Sequence, residues 1–297
     1  MILTIFFLTA VIGAVGGASI KFTLGDFPPM ILIFFRGLLA VLILSPVIFF
    51  QKEKFTIAKE KKLLLLSGIL FSLNWILFAF GIQRTTVIMG QLLYLPTPII
   101  VGIVGFFALK EKITKDQIVG LIITLFGMLI LVQGTFASGD SNSFGEPLGN
   151  FIIFLGLVSW SLYTITSRKI SKAYSPLHLT FINLLIITLI SLVILTLPQA
   201  RQNFNFTTVS GQGIVGLLSV ATLNSIGFFG LYQWLIKNTS AFTASLILYP
   251  TTVLASIVGI VFFKEKLTVN LLVGGVFVIV GVFVANSLSH VRRYAQR

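Results

Sequence analysis

Residues 94–114 read YLPTPIIVGIVGFFALKEKIT, and residues 248–268 read LYPTTVLASIVGIVFFKEKLT. Shifting the wider segment 85–132 by 154 positions lays it on 239–286 without a gap, with 14 identities in 48 positions. Thr85 falls on Thr239, Leu92 on Leu246, Pro96-Thr97 on Pro250-Thr251, Lys110-Glu111-Lys112 on Lys264-Glu265-Lys266, and Gly127 on Gly281. Matches of Leu, Ile and Val arise readily in an apolar chain, but a shared Pro-Thr and a shared Lys-Glu-Lys-x-Thr do not. A weaker match at a shift of 147 sets Lys21 on Arg168, Pro29 on Pro176 and Arg36 on Asn183. The chain reads as an internal duplication.

Around this repeat the composition excludes an aqueous fold. Of 297 residues, 56% are hydrophobic and 10% charged, against about 25% charged in an average soluble domain. Apolar runs fall at 3–22, 30–50, 63–82, 88–109, 117–134, 150–169, 177–197, 211–236, 241–263 and 268–288. Each is long enough for a helix to cross a bilayer, which takes roughly 20 residues, whereas barrel strands would be about ten residues long with polar alternation. The predicted fold is an all-α polytopic membrane protein of ten transmembrane helices. It divides into five-helix repeats at 1–137 and 149–290 with a linker at 138–148. The first run starts at Met1 without a basic leader, so it is expected to be kept as a span.

The net charge of +13 would suggest nucleic acid in a soluble protein. Here the bases sort by loop. With the N-terminus inside, the inner loops hold Lys52, Lys54, Lys59, Lys61, Lys62, Lys110, Lys112, Lys115, Arg168, Lys169, Lys172, Lys237, Arg292, Arg293 and Arg297. The outer side holds Lys21, Arg84, Arg201, Lys264 and Lys266. That bias predicts both termini in the cytoplasm and no nucleic-acid partner. An odd number of spans per copy inserts the second copy upside down. Inverted copies give secondary transporters two near-equivalent ways to close one central cavity, with the substrate site near the midplane.

Phe27-Pro28-Pro29 after the first span, Trp160-Ser161-Leu162-Tyr163 in the sixth, Tyr94-Leu95-Pro96-Thr97-Pro98, Leu248-Tyr249-Pro250 and the two Lys-Glu-Lys turns make the chain similar to the drug/metabolite transporter superfamily. Within it the sequence most resembles the EamA-type ten-helix exporters, over nearly its whole length. The resemblance implies export of amino acids or similar small metabolites across a bacterial inner membrane. It also implies a cavity surrounded by helices one to four and six to nine, with five and ten bracing the outside. Gly13-Ala14-Val15-Gly16-Gly17 stands where the family often carries a Trp.

Polar residues inside spans are the candidates for transport, because burying them in lipid is costly. Arg36, in the second span, reads either as an anchor for a substrate carboxylate or gate partner, with Asp26 as a candidate mate, or as a base whose stem snorkels to the interface. Asn74, Trp75 and Phe78 of the third span align in the repeat with Phe228, Phe229 and Tyr232 of the eighth, which adds Thr222 and Asn224. Trp160 and Tyr163 come from the sixth. Aromatic walls with a few amides suit a small amphipathic solute; packing or lipid contact is the alternative for any single ring. Ser245, Tyr249, Thr252 and Ser256 form one stripe of the ninth span; in the fourth span the repeat partners of the first and last are Gln91 and Gly102, with Tyr94 adjacent. The stripe reads as cavity lining or as interhelix glue. Pro96, Pro98 and Pro250 are expected to bend the paired fourth and ninth helices as gates.

Several chemistries are excluded. There are no cysteines, and His178 and His290 are far apart in sequence, so neither metal nor cofactor is expected. The eight acids, Asp26, Glu53, Glu60, Glu111, Asp116, Asp140, Glu146 and Glu265, fall in loops or at helix ends. A membrane-embedded enzyme would need them clustered at one depth, and a proton-driven carrier commonly uses a buried one. The expected partners are a small-molecule substrate and the lipid bilayer, with the carrier a monomer or homodimer. Multidrug or lipid efflux is the alternative function, weakened by the missing mid-membrane acid.

Overall fold

The computed structural model describes residues 1–50, 60–137, 145–201, 204–263 and 269–295. Lys52, Lys54, Lys59, most of the linker, Lys264-Glu265-Lys266 and Arg297 lie outside the described residues. The helices are α1 (Ile2–Thr23), α2 (Pro29–Phe50), α3 (Lys61–Ile82), α4 (Val87–Leu92), α5 (Thr97–Leu109), α6 (Lys115–Ala137), α7 (Pro147–Ile170), α8 (Pro176–Ile194) and a four-residue α9 (Pro198–Arg201). There follow α10 (Gly211–Ser219), a π-helix (Val220–Phe228), α11 (Phe229–Asn238), α12 (Ala241–Ser245), α13 (Leu248–Phe263) and α14 (Val269–Ala295). Among the described residues there is no strand, and eight segments are long and apolar enough to cross a membrane. The chain is a polytopic α-helical membrane protein.

Local sequence sets the helix starts. Thr86, Ser175, Ser210 and Ser240 are N-caps whose hydroxyls accept from Met89, His178, Gly213 and Thr243 backbone N–H groups. Each satisfies a donor that the first turn would otherwise strand in an apolar medium. Pro147 and Pro176 open α7 and α8, where proline lacks only an N–H that has no partner anyway. Lys110 closes α5 in the left-handed conformation, at φ 55°. Between α4 and α5 the regular helix gives way to i→i−3 turns, with the Leu95 N–H on the Leu92 carbonyl and the Thr97 N–H on that of Tyr94. Pro96, at the cap of α5, and Pro98, in its first turn, sit at this irregularity. Pro250 sits in the first turn of α13, after a similar stretch in which the Tyr249 N–H bonds to the Leu246 carbonyl. The chain stays coiled through both stretches, so Met89–Leu109 and Ala241–Val258 are each one interrupted span.

Packing is dominated by contacts between the first half (α1–α6) and the second (α7–α14). The α6 helix lies along α14, α3 along α7, α2 along α8, and α1 along both α13 and the π-helix. The α6–α14 contact is close enough that a Cβ on Gly120 would stand 2.5 Å from the Gly281 carbonyl oxygen, and one on Gly127 2.7 Å from that of Gly274. Small residues at such a crossing let backbones meet where lipid provides no hydrophobic drive for association. Long runs of Phe, Leu, Ile and Val on the outward faces stay exposed, among them Phe107, Phe262, Val276 and Phe283. That is the inverse of a water-soluble surface.

Candidate functional site

A cavity of about 100 Å³ lies where the two halves meet. The first half contributes Gly13, Gly17 and Ile20 from α1, Arg36 from α2, Asn74, Trp75, Phe78 and Ala79 from α3, Gln91 from α4, and Tyr94 from the turn between α4 and α5. The second contributes Trp160 from α7, Asn224 and Phe228 from the π-helix, Phe229 from α11, and Leu248 and Thr251 from α13.

Arg36 is 5% exposed and does not reach Asp26. Its Nε donates to Ser225 Oγ at 2.9 Å, its Nη2 donates to Asn224 Oδ1, and its guanidinium carbon lies 3.5 Å from the Trp75 ring centroid. All the hydrogen-bond acceptors are neutral, and they belong to the opposite half. Asp26 instead accepts from the backbone N–H and hydroxyl of Ser210, the latter at 2.7 Å. The snorkelling alternative therefore fails for a geometric reason: the side chain runs inward, to partners near the bundle centre.

The π-helix produces this arrangement. Ser225 Oγ donates to the Val220 carbonyl five residues back, at 2.8 Å, and the extra residue per turn brings Asn224, Ser225 and Phe228 toward the cavity side. π-helical turns are rare and are found frequently at functional sites. The α1 backbone must come close for this to fit. A Cβ on Gly16 would fall onto the Asn224 amide, and one on Gly17 would stand 2.6 Å from Gln91 Nε2. Bare glycine on α1 is what lets these two amides approach its backbone.

The remaining walls are polar in places. Asn74 Nδ2 donates to the Tyr94 hydroxyl at 2.6 Å and to the Gly156 carbonyl at 2.9 Å. Trp160 stacks on Tyr232 at 4.8 Å between ring centroids, and Phe228 stacks on Tyr232 at 5.9 Å. The buried indole N–H groups of Trp75 and Trp160 have no partner among the described residues.

Of the residues singled out in the sequence, Arg36, Asn74, Trp75, Phe78, Gln91, Tyr94, Trp160 and Asn224 come together around the cavity. Tyr163 and Tyr232 lie one layer behind it, with Gln233 Nε2 donating to the Tyr163 hydroxyl at 2.6 Å and Thr164 bonded to the Tyr232 hydroxyl at 2.9 Å. Thr222, Ser245, Tyr249 and Thr252 do not line it. The hydroxyls of Thr222, Ser245 and Thr252 bond to carbonyls of their own helices, Leu218, Phe242 and Leu248. Thr251, one residue off the stripe, lines the cavity instead; its methyl lies against α1 at Gly13, while its hydroxyl bonds to the Ile247 carbonyl. Sequence reasoning also missed Ser225, whose only signal was its place next to Asn224.

One end of the bundle is tied across the halves by Glu111, from the Lys-Glu-Lys turn after α5. Its Oε1 accepts from Arg168 Nε at 2.7 Å and its Oε2 from the Ala241 backbone N–H at 3.0 Å. Arg168 Nη1 also donates to the Ile236 and Lys237 carbonyls at the end of α11, and Gln117 Nε2 donates to Thr243 at 2.9 Å. The opposite end carries Lys21 Nζ donating to the Thr85 carbonyl, Thr85 Oγ1 donating to Asn150 Oδ1 at 2.7 Å, and the Asp26–Ser210 pair. No group of His, Asp and Glu able to hold a metal occurs among the described residues.

Comparison with known proteins agrees with this geometry. The model of the EamA-like transporter family matches residues 1–133 and again 147–287, and the chain belongs to that family. It is 24% identical to the uncharacterized transporter YoaV of Bacillus subtilis, over 93% of this chain and 92% of that one. It is 26% identical to an uncharacterized transporter of Clostridium kluyveri, over 88% and 83%. At 24% identity it also matches a Salmonella typhimurium protein described as a "Probable amino-acid metabolite efflux pump", over 97% and 96%. A protein of known crystal structure shares the fold at a TM-score of 0.72 with 16% identity, covering 97% of this chain and 96% of that one. The relatives are transporters, and this chain is a membrane transporter rather than an enzyme.

Proposed function

We propose that this EamA-family chain carries amino acids or similar small metabolites outward across a bacterial plasma membrane by alternating access. It does so with ten spans arranged as two inverted five-helix copies, both termini in the cytoplasm. The observation that carries this reading is the cavity, whose walls come from both halves. A solute held there touches the two bodies whose relative rocking would expose it to each side in turn.

Two further features support it. The helix pairings persist when the halves are exchanged: α3 with α7 corresponds to the π-helix and α11 with α1, α5 with α7 to α13 with α1, and α2 with α8 and α6 with α14 to themselves. The broken helices α4–α5 and α12–α13 also run in opposite directions. The first starts beside Thr85 at the Lys21 end and finishes at Glu111, whereas the second starts there, with the Ala241 N–H on Glu111. Discontinuous helices at equivalent places in two halves mark the substrate site in transporters of this design. At about 100 Å³ the hollow is smaller than the cavity of about 150 Å³ that holds one benzene, so in this reading a solute of amino-acid size enters as the two halves part. The relative described as an amino-acid metabolite efflux pump supports the substrate class.

The test is counterflow in proteoliposomes preloaded with a panel of amino acids, each probed with its own labelled form outside. Saturable accumulation of at least one member is expected. Labelled uptake equal to that of empty liposomes across the panel would overturn the reading.

A further inference from the structure

We propose that the cavity recognises its solutes through a single carboxylate seated on Arg36, and that an α-amino group is dispensable. The transported class is then small organic acids with an apolar body, amino acids among them, and not amines, amides or neutral solutes. This deepens the carrier reading above and rests on it.

Charge is the first ground. Arg36 is buried and is the cavity's one full charge among the described residues, since no Asp, Glu, Lys or His lines the walls. Two acids at the ends of the bundle are engaged elsewhere: Asp26 by Ser210 at one end, Glu111 by Arg168 and Ala241 at the other. A cation taken out of water without a counter-ion is unfavourable unless an anion joins it. Among the described residues Arg36 meets only Asn224, Ser225 and the Trp75 face, which leaves the place of the anion to the solute.

Hydrogen bonding is the second ground. Arg36 has used Nε and Nη2, and no hydrogen bond to a described residue involves Nη1. Trp75 and Trp160, residues of the same walls, carry enclosed indole N–H groups with no partner among the described residues. The Tyr94 hydroxyl accepts from Asn74 and keeps its own proton to give. The surplus is one of donors, and a carboxylate is an acceptor only, with room for about four bonds on its two oxygens. A guanidinium meets it in a planar, two-pronged geometry that an amide cannot match. An ammonium finds no carboxylate here. It would rest on the Gln91 and Asn74 amides or on ring faces, which tolerate it without requiring it.

The test is binding to the purified full-length protein in detergent, read by intrinsic tryptophan fluorescence, since Trp75 and Trp160 are wall residues. Leucine, 4-methylpentanoate, leucinamide and isoamylamine share one apolar body and differ only in the charged groups. Both acids are expected to titrate saturably, and the amide and the amine to bind about 10- to 100-fold more weakly, as befits loss of a hydrogen bond to a charged group. Arg36→Gln should erase that gap, and Arg36→Lys, which keeps the charge if the Gln variant fails to fold, should preserve a preference for the acids. Equal binding of leucine and leucinamide by the unaltered protein, a gap that survives Arg36→Gln, or no saturable signal from either acid would overturn the proposal. Acid-selective binding without counterflow would sink the carrier reading alone. Counterflow with acid and amide bound equally would sink this one alone.

Discussion

Replacing Glu111 with Gln should loosen one end of the transporter by an amount the structure sets. The carboxylate holds two donors from the opposite half, Arg168 Nε at 2.7 Å and the Ala241 N–H at 3.0 Å. The Arg168 and Glu111 side chains are 22% and 18% exposed, so the pair belongs neither with surface ion pairs, at about 0–1 kcal/mol, nor with fully buried ones, at about 3–5 kcal/mol when one partner is removed. Glutamine keeps the shape but has one acceptor oxygen for the two donors, so with Ala241 served its amide N–H groups face Arg168 and the charge-assisted bond is lost. A cost of about 1–2 kcal/mol follows from the typical strength of a charge-assisted hydrogen bond, which raises the open fraction at that end by about 5- to 30-fold. The chain has no cysteine, so a single Ser167→Cys, at a site fully buried beneath this tie, reports opening through its rate of reaction with a membrane-impermeant maleimide. The rate should rise about 5- to 30-fold when Glu111→Gln is added. Equal rates with and without that change would refute the role of the tie in closing this end.

Gly16→Ala places a methyl on the Asn224 amide and should displace the main acceptor of Arg36; saturable counterflow is expected to fall at least about tenfold, with binding by tryptophan fluorescence lost in parallel. Gly120→Leu forces α6 off the Gly281 carbonyl and should destabilise the protein by about 1–3 kcal/mol or more, read as a lowered midpoint in thermal unfolding in detergent. Because no Asp, Glu or His lines the cavity among the described residues, net downhill transport into solute-free proteoliposomes should persist when the proton gradient is dissipated with an ionophore. Its collapse would require a proton-coupling group elsewhere.

The helical membrane architecture was legible because apolar runs of span length and their polar breaks are local signals. The repeat added which segments correspond, and with it the pairing of Asn74 with Phe228 and of Trp75 with Phe229 across the cavity. What escaped depends on register or on distant contacts. Periodicity placed Ser245, Thr252 and Ser256 on one stripe, yet a hydroxyl in an apolar helix readily bonds to the carbonyl three or four residues back, as these three do, so polarity on a helix did not mark its cavity face. The π-helix over Val220–Phe228 leaves no trace in apolar spacing, although it decides that Asn224 and Ser225 face Arg36. Asp26 was a reasonable mate for Arg36 by sequence distance alone, but it caps the other half through Ser210. Proline signalled interruption at Pro96 and Pro250, and the interruption takes the form of i→i−3 turns within one span, a detail that spacing alone does not give.

The central claim is that two copies of one five-helix unit sit upside down relative to each other around a shared hollow. Single cysteines at Lys112 and Lys266, introduced one at a time into intact cells and into inverted vesicles, test it with an impermeant maleimide. The account predicts that Lys112→Cys reacts only from the cytoplasmic side and Lys266→Cys only from the outside; reaction of both from the same side would contradict it.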